Sequence, residues 1–309
     1  MRFERVRSGL TESSDEVEAV AINREGDVLY SSGDVHRPIF YRSAIKPFQA
    51  LAARRTGLEL PAEHLAVSCA SHGGHPVHLA IVRRILDDAG LAESSLRCTP
   101  GRPRARSADV LRIAAGDMKR RPILHTCSGK HAGWLAACAR AGWDTGTYLA
   151  ENHPLQRLIV DVVADATGVD PEPTGVDGCG APTLRGTITG LATAFSRFGT
   201  DAETAPIASA MGRFGSLVSD NTMDEGSVAA MWGGTIKCGA EGLLAMERGG
   251  VAIVTKSISG DDTNALAAAL RVAERLGMLT PAMIDAIARP LAPPVLGAGK
   301  PVGVLELVE

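Results

Sequence analysis

The chain has 309 residues, of which 45% are hydrophobic and 22% charged, and its formal net charge is -3. That is enough apolar chain for a large soluble core. Without a basic excess nothing points to nucleic acid or an acidic membrane as partner, and no stretch of 18 uncharged apolar residues is present to span a bilayer.

Met1 to Leu10 carries basic residues with no apolar run behind them, because Thr11-Glu12-Ser13-Ser14-Asp15-Glu16 follows at once. A secretory signal is therefore not expected. Val17–Ile22 and Val28–Ser32 flank a turn at Asn23–Asp27 and read as a β-hairpin. A helical pattern runs from Ser43 to about Gly57. The apolar run ending at Ser68 reads as strand-like, and glycines at 73 and 74 break it. Helices are expected over 76–90, 106–117, 129–141, 153–168, 202–218, 262–277 and 281–288. Strand signals return at Leu243–Glu247, Val251–Ser257 and Val302–Val308. Strands at both ends with helices between them predict an α+β fold, an antiparallel sheet from N- and C-terminal strands with a helical middle. We read residues 1–309 as one catalytic unit, with a sheet part at 1–60 plus 235–309 and a helical part at 61–234. Six cysteines, at 69, 98, 127, 138, 179 and 238, are too dispersed for a disulfide scaffold and predict a reducing cytoplasm.

Chemistry concentrates in a few stretches. Arg42-Ser43-Ala44-Ile45-Lys46 is a Ser-x-x-Lys at a helix start, and residues three apart share a helical face. A serine hydroxyl needs a base to become a nucleophile, and lysine serves only where burial or a neighbouring cation lowers its pKa. The same residues fit an N-capping Ser43 and a solvated Lys46, although Pro47 removes a backbone donor from the first turn. Ser71-His72-Gly73-Gly74-His75 could bring backbone amides close to an oxyanion, or be a plain turn. His72, His75 and His78 have no neighbouring carboxylate or cysteine pair to complete a histidine metal site.

In Thr126-Cys127-Ser128-Gly129-Lys130-His131 a thiol starts a helix beside two basic residues, which favours thiolate. With Cys179, in Val176-Asp177-Gly178-Cys179-Gly180, two thiolates and a nitrogen ligand would suit zinc. Two inert buried cysteines fit as well, since no Cys-x-x-Cys is present. Lys237-Cys238-Gly239 is similar to the third motif of serine β-lactamases, yet Ser219-Asp220-Asn221 stands about 180 residues after Ser43, out of place for the second. We therefore read Lys237-Cys238-Gly239 as a turn. Lys256, inside an apolar strand, is either functional or an edge lysine that snorkels to water.

Taken in order, these segments resemble the L-asparaginase II family, the rhizobial-type asparaginases. The resemblance rests on Gly33-Asp34, Arg42-Ser43-Ala44-Ile45-Lys46-Pro47, Cys69-Ala70-Ser71-His72 and Cys127-Ser128-Gly129-Lys130-His131-Ala132-Gly133. It continues through Asn152-His153-Pro154, Val176-Asp177-Gly178-Cys179-Gly180 and Gly239-Ala240-Glu241-Gly242, covering nearly the whole chain. It implies a fold related to serine β-lactamases and glutaminases, a homodimer, and hydrolysis of L-asparagine to aspartate and ammonia. It also implies two Ser-Lys pairs, Ser43 with Lys46 and Ser71 with Lys256. A zinc ion on Cys127, Lys130 and Cys179 is implied too, with a substrate pocket shaped by Arg42, His131 and Asp177. Gly73 and His75 replace a serine and a glutamate common in the family, and His125-Thr126 replaces two asparagines; these bear on substrate preference. The other readings are a glutaminase or β-lactam-type acyl-serine hydrolase, a non-catalytic zinc-stabilised amino-acid-binding protein, and a hydrolase in which zinc activates water.

Overall fold

A computed structural model describes residues 1–172, 174–219 and 224–308. Asp220 and Asn221, part of the misplaced Ser-Asp-Asn, lie outside the described residues. The strands are β1 (Arg2–Arg7), β2 (Leu10–Asn23), β3 (Val28–Ser32), β4 (Ile39–Phe40), β5 (Gly175–Val176), β6 (Pro182–Thr183), β7 (Arg185–Gly186), β8 (Thr235–Gly239), β9 (Leu243–Arg248), β10 (Val251–Ser257), β11 (Pro294–Gly297) and β12 (Lys300–Leu307). The α-helices before β8 are α1 (Lys46–Arg55), α2 (Ala62–Cys69), α3 (Pro76–Asp88), α4 (Arg106–Ala114), α5 (Ser128–Ala141), α6 (Pro154–Thr167), α7 (Ile188–Phe198), α8 (Ala205–Arg213), α9 (Gly215–Val218) and α10 (Asp224–Trp232). Three follow: α11 (Asp262–Arg275), α12 (Pro281–Ala286) and α13 (Ala288–Leu291). None of the described helices is long and apolar enough to cross a membrane.

The chain forms two compact units. One comprises Met1–Ala44, Gly186–Thr200 and Ser227–Glu309; the other comprises Ile45–Arg185 and Asp201–Gly226. The first boundary falls between Ala44 and Ile45, and Gly186–Thr200 returns from the helical middle to the sheet.

The first unit holds an antiparallel sheet in the order β11-β12-β1-β2-β10-β9-β8, with β3 also paired to β2. It is the antiparallel sheet of N- and C-terminal strands that the pattern predicts. Helices α7 and α11 both pack on β2, β9 and β10. Ala19, Ala21, Leu244, Met246 and Ile253 join α11 residues in one core cluster. Ala252, Val254 and Ala245, of the opposite parity, are buried too. Burial on both faces explains why Val17–Ile22 is a continuous apolar run rather than an alternating one. β1 carries no apolar strand signal, because five of its six residues are charged or only half-buried. Its turn signal is Ser8-Gly9, both left-handed (φ 48° and 84°), as a two-residue hairpin with right-handed strand twist requires.

The second unit is built around α5, whose residues Ser128–Cys138 are all buried and which touches α1, α2 and α3. Gly129 and Gly133 face α2. A Cβ on Gly129 would overlap the Val67 carbonyl oxygen, and one on Gly133 would lie 2.8 Å from Ser68 Oγ. This close crossing brings the start of α5 against the end of α2. The run up to Ser68 is thus helix α2 and not a strand, a short uninterrupted apolar stretch whose type periodicity cannot settle. The single helix expected over 202–218 is broken at Phe214, between α8 and α9. Lys237-Cys238-Gly239, expected as a turn, belongs to strand β8.

Candidate active site

Lys46 is the first residue of α1 and only 1% exposed. Its Nζ donates to the Ala70 carbonyl oxygen at 2.6 Å and to Ser71 Oγ at 3.0 Å. Helix α2 ends at Cys69, Ala70 turns extended (ψ 153°), and Ser71 follows. Three backbone contacts hold this segment. Ser71 N–H donates to the Val218 carbonyl oxygen, His72 N–H to that of Thr126, and Ala105 N–H to that of Gly73. The Thr126 hydroxyl returns a bond to the His72 carbonyl oxygen at 3.0 Å. Ser71 is therefore pinned beside the residue that precedes Cys127.

Cys127 caps α5, and its N–H donates to His125 Nδ1. Cys179 sits in the tight loop between β5 and β6, closed by Gly180 N–H on the Asp177 carbonyl oxygen and Asp177 N–H on that of Ala181. Gly180 supplies the left-handed residue of that turn (φ 83°). Lys130, one turn into α5, places Nζ 3.4 Å from Cys179 Sγ and 4.4 Å from the Trp134 ring centre, a cation–π contact. His131 Nδ1 lies 2.8 Å from the Tyr148 hydroxyl. Within this unit, then, Lys46, Ser71, Cys127, Lys130, His131, Asp177 and Cys179 come together from segments far apart in sequence.

The electrostatics follow from burial and mutual proximity. Burial lowers the Lys46 pKa, and the Lys130 charge lowers it further, against the pull of Cys127 and Cys179. Cys127 and Cys179 are hydrogen-bonded to each other, and that bond pulls the Cys127 pKa well below the ordinary thiol value, helped by Lys46 and Lys130 against burial, while the same bond and burial push the Cys179 pKa up. Burial pulls the Lys130 pKa down, but Cys179, Cys127 and Asp177 outweigh it and hold Lys130 charged. His72 is fully buried with a pKa of about 3, first from burial and then from His78 and Lys46. Its Nε2 lies 2.9 Å from Ser128 Oγ, whose own hydrogen goes to the Ile123 carbonyl oxygen. His72 is thus a neutral structural pin for the start of α5.

The first unit carries the other expected residues. Arg42 and Ser43 are half-buried on a 3-10 turn, Arg42–Ile45. Arg42 is left-handed (φ 49°), a conformation costing a non-glycine residue about 1 kcal/mol. The buried Tyr41 anchors the turn: its hydroxyl accepts from Thr187 N–H, and a Cβ on Gly186 would overlap it. Lys256, on β10, is half-buried, and its Nζ donates to the carbonyl oxygens of Glu241 and Ser257. Lys237 on β8 is 1% exposed. Two residues on, a Cβ at Gly239 would stand 3.0 Å from the Tyr41 carbonyl oxygen. Gly239 thus brings β8 against the Tyr41 carbonyl, and Lys237 of the same strand is the more deeply buried of the two lysines.

Among the described residues no three or more His, Cys, Asp and Glu side chains gather as a metal site. Cys127 and Cys179 supply two such donors, and Lys130 makes a third. Two hydrogen-bonded thiols with an amine 3.4 Å from one of them form a donor set that fits zinc once the amine and the second thiol lose their protons. A family model described as L-asparaginase II matches residues 3–307. A search of curated proteins returned no match.

Proposed function

The chain belongs to the L-asparaginase II family, and from that premise we propose that it hydrolyses the side-chain amide of L-asparagine to L-aspartate and ammonia through a serine activated by Lys46. The observation that supports this reading most is the Lys46 amine, buried, shifted towards neutrality and 3.0 Å from Ser71 Oγ. A carboxamide is a poor electrophile, and its nitrogen must be protonated to leave. A neutral lysine has two hydrogens and one lone pair. Ala70 O, Ser71 Oγ and the Cys127 sulfur surround the amine and hold it in place, and in its neutral form the lone pair can take a serine proton.

In this reading Ser43, three residues before Lys46, attacks the amide carbon while Lys46 takes its proton. The tetrahedral intermediate collapses as Lys46 gives that proton to the departing ammonia, and water hydrolyses the aspartyl ester. Ser71 holds the amine and relays protons. A second reading, in which Ser71 itself attacks, is favoured by the 3.0 Å contact. Arg42, His131 and Asp177 bind the two ends of the amino acid. In the same reading the second Ser-Lys pair is Ser71 with Lys256, with Lys237, the more deeply buried lysine, as the other candidate. Zinc on Cys127, Cys179 and Lys130 would supply a fixed positive charge that orients the substrate. The homodimer and the cytoplasmic location belong to the same reading; sedimentation velocity tests the first.

Ammonia release from L-asparagine and L-glutamine, measured side by side, tests the activity and its preference. Acid quenching followed by peptide mass analysis should find the aspartyl ester on Ser43; an ester on Ser71 selects the second reading. Full turnover in both Ser43→Ala and Ser71→Ala would overturn serine catalysis and favour zinc-activated water.

A further inference from the structure

His131 and Tyr148 are both completely buried. The Tyr148 hydroxyl has two partners. Arg97 N–H donates to it at 3.0 Å, and His131 Nδ1 lies 2.8 Å away. A backbone N–H can only donate, so the one acceptor within reach of the phenol hydrogen is His131 Nδ1. A phenol keeps its hydrogen at neutral pH. The reverse arrangement, with hydrogen on Nδ1, would leave both the phenol hydrogen and the Nε2 lone pair without partners. Counting donors and acceptors therefore puts the histidine hydrogen on Nε2. That atom is buried and has no hydrogen-bond partner among the described residues.

A buried N–H with no acceptor costs roughly 1–3 kcal/mol. Such a group in a native fold calls for an explanation, and here the surroundings supply one. His131 is next to Lys130 in α5, and Lys46, Cys127, Lys130 and His125 are the charged or titratable groups that act on it. Its own ring packs at an angle to Trp134 and edge-on to Tyr148. Arg97 N–H, the Tyr148 hydroxyl and the imidazole form a chain ending in one free donor beside the proposed chemistry.

We propose that Tyr148 is a positioning residue that fixes His131 as its Nε2–H tautomer, so that His131 presents a neutral donor to an oxygen of the substrate. The oxygen is of carboxylate or carboxamide type, the two acceptors an amino-acid amide brings. This rests on the hydrolytic reading for the identity of the acceptor, though not for the tautomer. An imidazole so fixed binds the oxygen without adding a charge to a site that already holds two lysines. It also accounts for a buried tyrosine whose hydroxyl makes no contact with Lys46, Ser71 or the thiols among the bonds described above.

The test separates the two premises. Nitrogen-15 spectra of histidine-labelled protein, with His131 assigned by its loss in His131→Gln, should show an Nε2–H tautomer in the unliganded wild type. Tyr148→Phe, which keeps the ring and removes the hydroxyl, should shift that signal towards Nδ1–H and raise KM for L-asparagine about tenfold, with kcat changed less. An Nδ1–H tautomer in the wild type overturns the proposal whether or not the variant folds. A signal and KM both unmoved by Tyr148→Phe overturn it as well. Absence of ammonia release from wild type would sink the hydrolytic reading, while the tautomer result would still stand.

Discussion

The Lys46 amine lies 3.0 Å from Ser71 Oγ, across 25 residues of sequence, and also donates to the carbonyl oxygen of Ala70. Both partners belong to a backbone segment tied to Thr126, so the amine has little freedom to leave it. A base must be neutral to work, and burial holds the Lys46 pKa below the ordinary lysine value of 10.5. Turnover should therefore rise with pH as Lys46 loses its proton, and level off above its lowered pKa. Lys46→Ala should flatten the rise and cost ~100-fold or more in kcat. Ser71→Ala should move the midpoint of the rise and lower kcat by at least roughly tenfold, about 1.4 kcal/mol in the barrier. A pH–rate profile on the three proteins checks this, and an unmoved midpoint in Ser71→Ala would remove Ser71 from the proton path.

Zinc analysis tests the thiol pair. Protein purified without added metal should approach one zinc per chain, and Cys179→Ser should reduce it sharply. Lys130 is held charged and Cys179 protonated, so metal has to displace protons from both. Affinity should therefore weaken as pH falls, the direction any thiol–amine site must follow. Equal zinc in wild type and the Cys127→Ser/Cys179→Ser double variant would exclude the site.

Gly129 and Gly133 offer a packing test with a built-in control. Alanine at 129 drives its Cβ into the Val67 carbonyl and against Val67 Cγ1, and the carbonyl is backbone that cannot rotate away. Alanine at 133 meets the Ser68 side chain, Oγ at 2.8 Å and Cβ at 3.2 Å, and the closer hydroxyl can rotate off its bond to the His64 carbonyl oxygen. Gly129→Ala should destabilise the protein by roughly 1–3 kcal/mol or more, and Gly133→Ala by clearly less. Because α5 carries Lys130 and starts at Cys127, Gly129→Ala should lower zinc occupancy as well. Chemical denaturation of both variants decides it; equal losses would mean that α5 can shift away from α2.

The sequence made the residue types of the site visible more readily than their pairing. Ser43-x-x-Lys46 and Cys127-x-x-Lys130 stood out because helical spacing is short-range, and both stretches begin helices. The Lys46–Ser71 bond was hidden, since it depends on α2 being a helix that ends at Cys69. Apolar runs of that length suit either secondary structure. α7 was missed although Thr187 caps it, its hydroxyl accepting from Gly190 N–H. Ile188, Leu191, Ala192 and Phe195 are all buried and repeat at helical spacing, so that signal was present in the sequence. Lys237-Cys238-Gly239 reads as a turn once Ser219-Asp220-Asn221 is out of place for a β-lactamase-like set, yet it is strand β8. That glycine is required by the approach of the Tyr41 carbonyl to a strand, a tertiary reason that local pattern cannot carry.

Glu247 is an acid with no part in the proposed chemistry. It lies on β9, 4% exposed, with Oε1 accepting from Gly250 N–H and Gly199 filling the space beside its carboxyl group. Burial raises its pKa above the ordinary 4.5, and the Gly250 bond only partly opposes this. Below about 4.5 the carboxyl is protonated in both folded and unfolded chains and contributes nothing to the pH dependence. As pH rises through 4.5 the unfolded chain ionises first, so stability is lost until pH passes the raised folded-state value, and stays lost above it. Gln, nearly the same shape, can still accept from Gly250 N–H and carries no charge to bury. Glu247→Gln should therefore melt higher than wild type at neutral pH, with the advantage shrinking to nothing near pH 4. Calorimetric scans of both proteins across that range check the sign. An advantage that persisted unchanged at pH 4 would mean that the gain comes from packing, with the carboxylate charge playing no part.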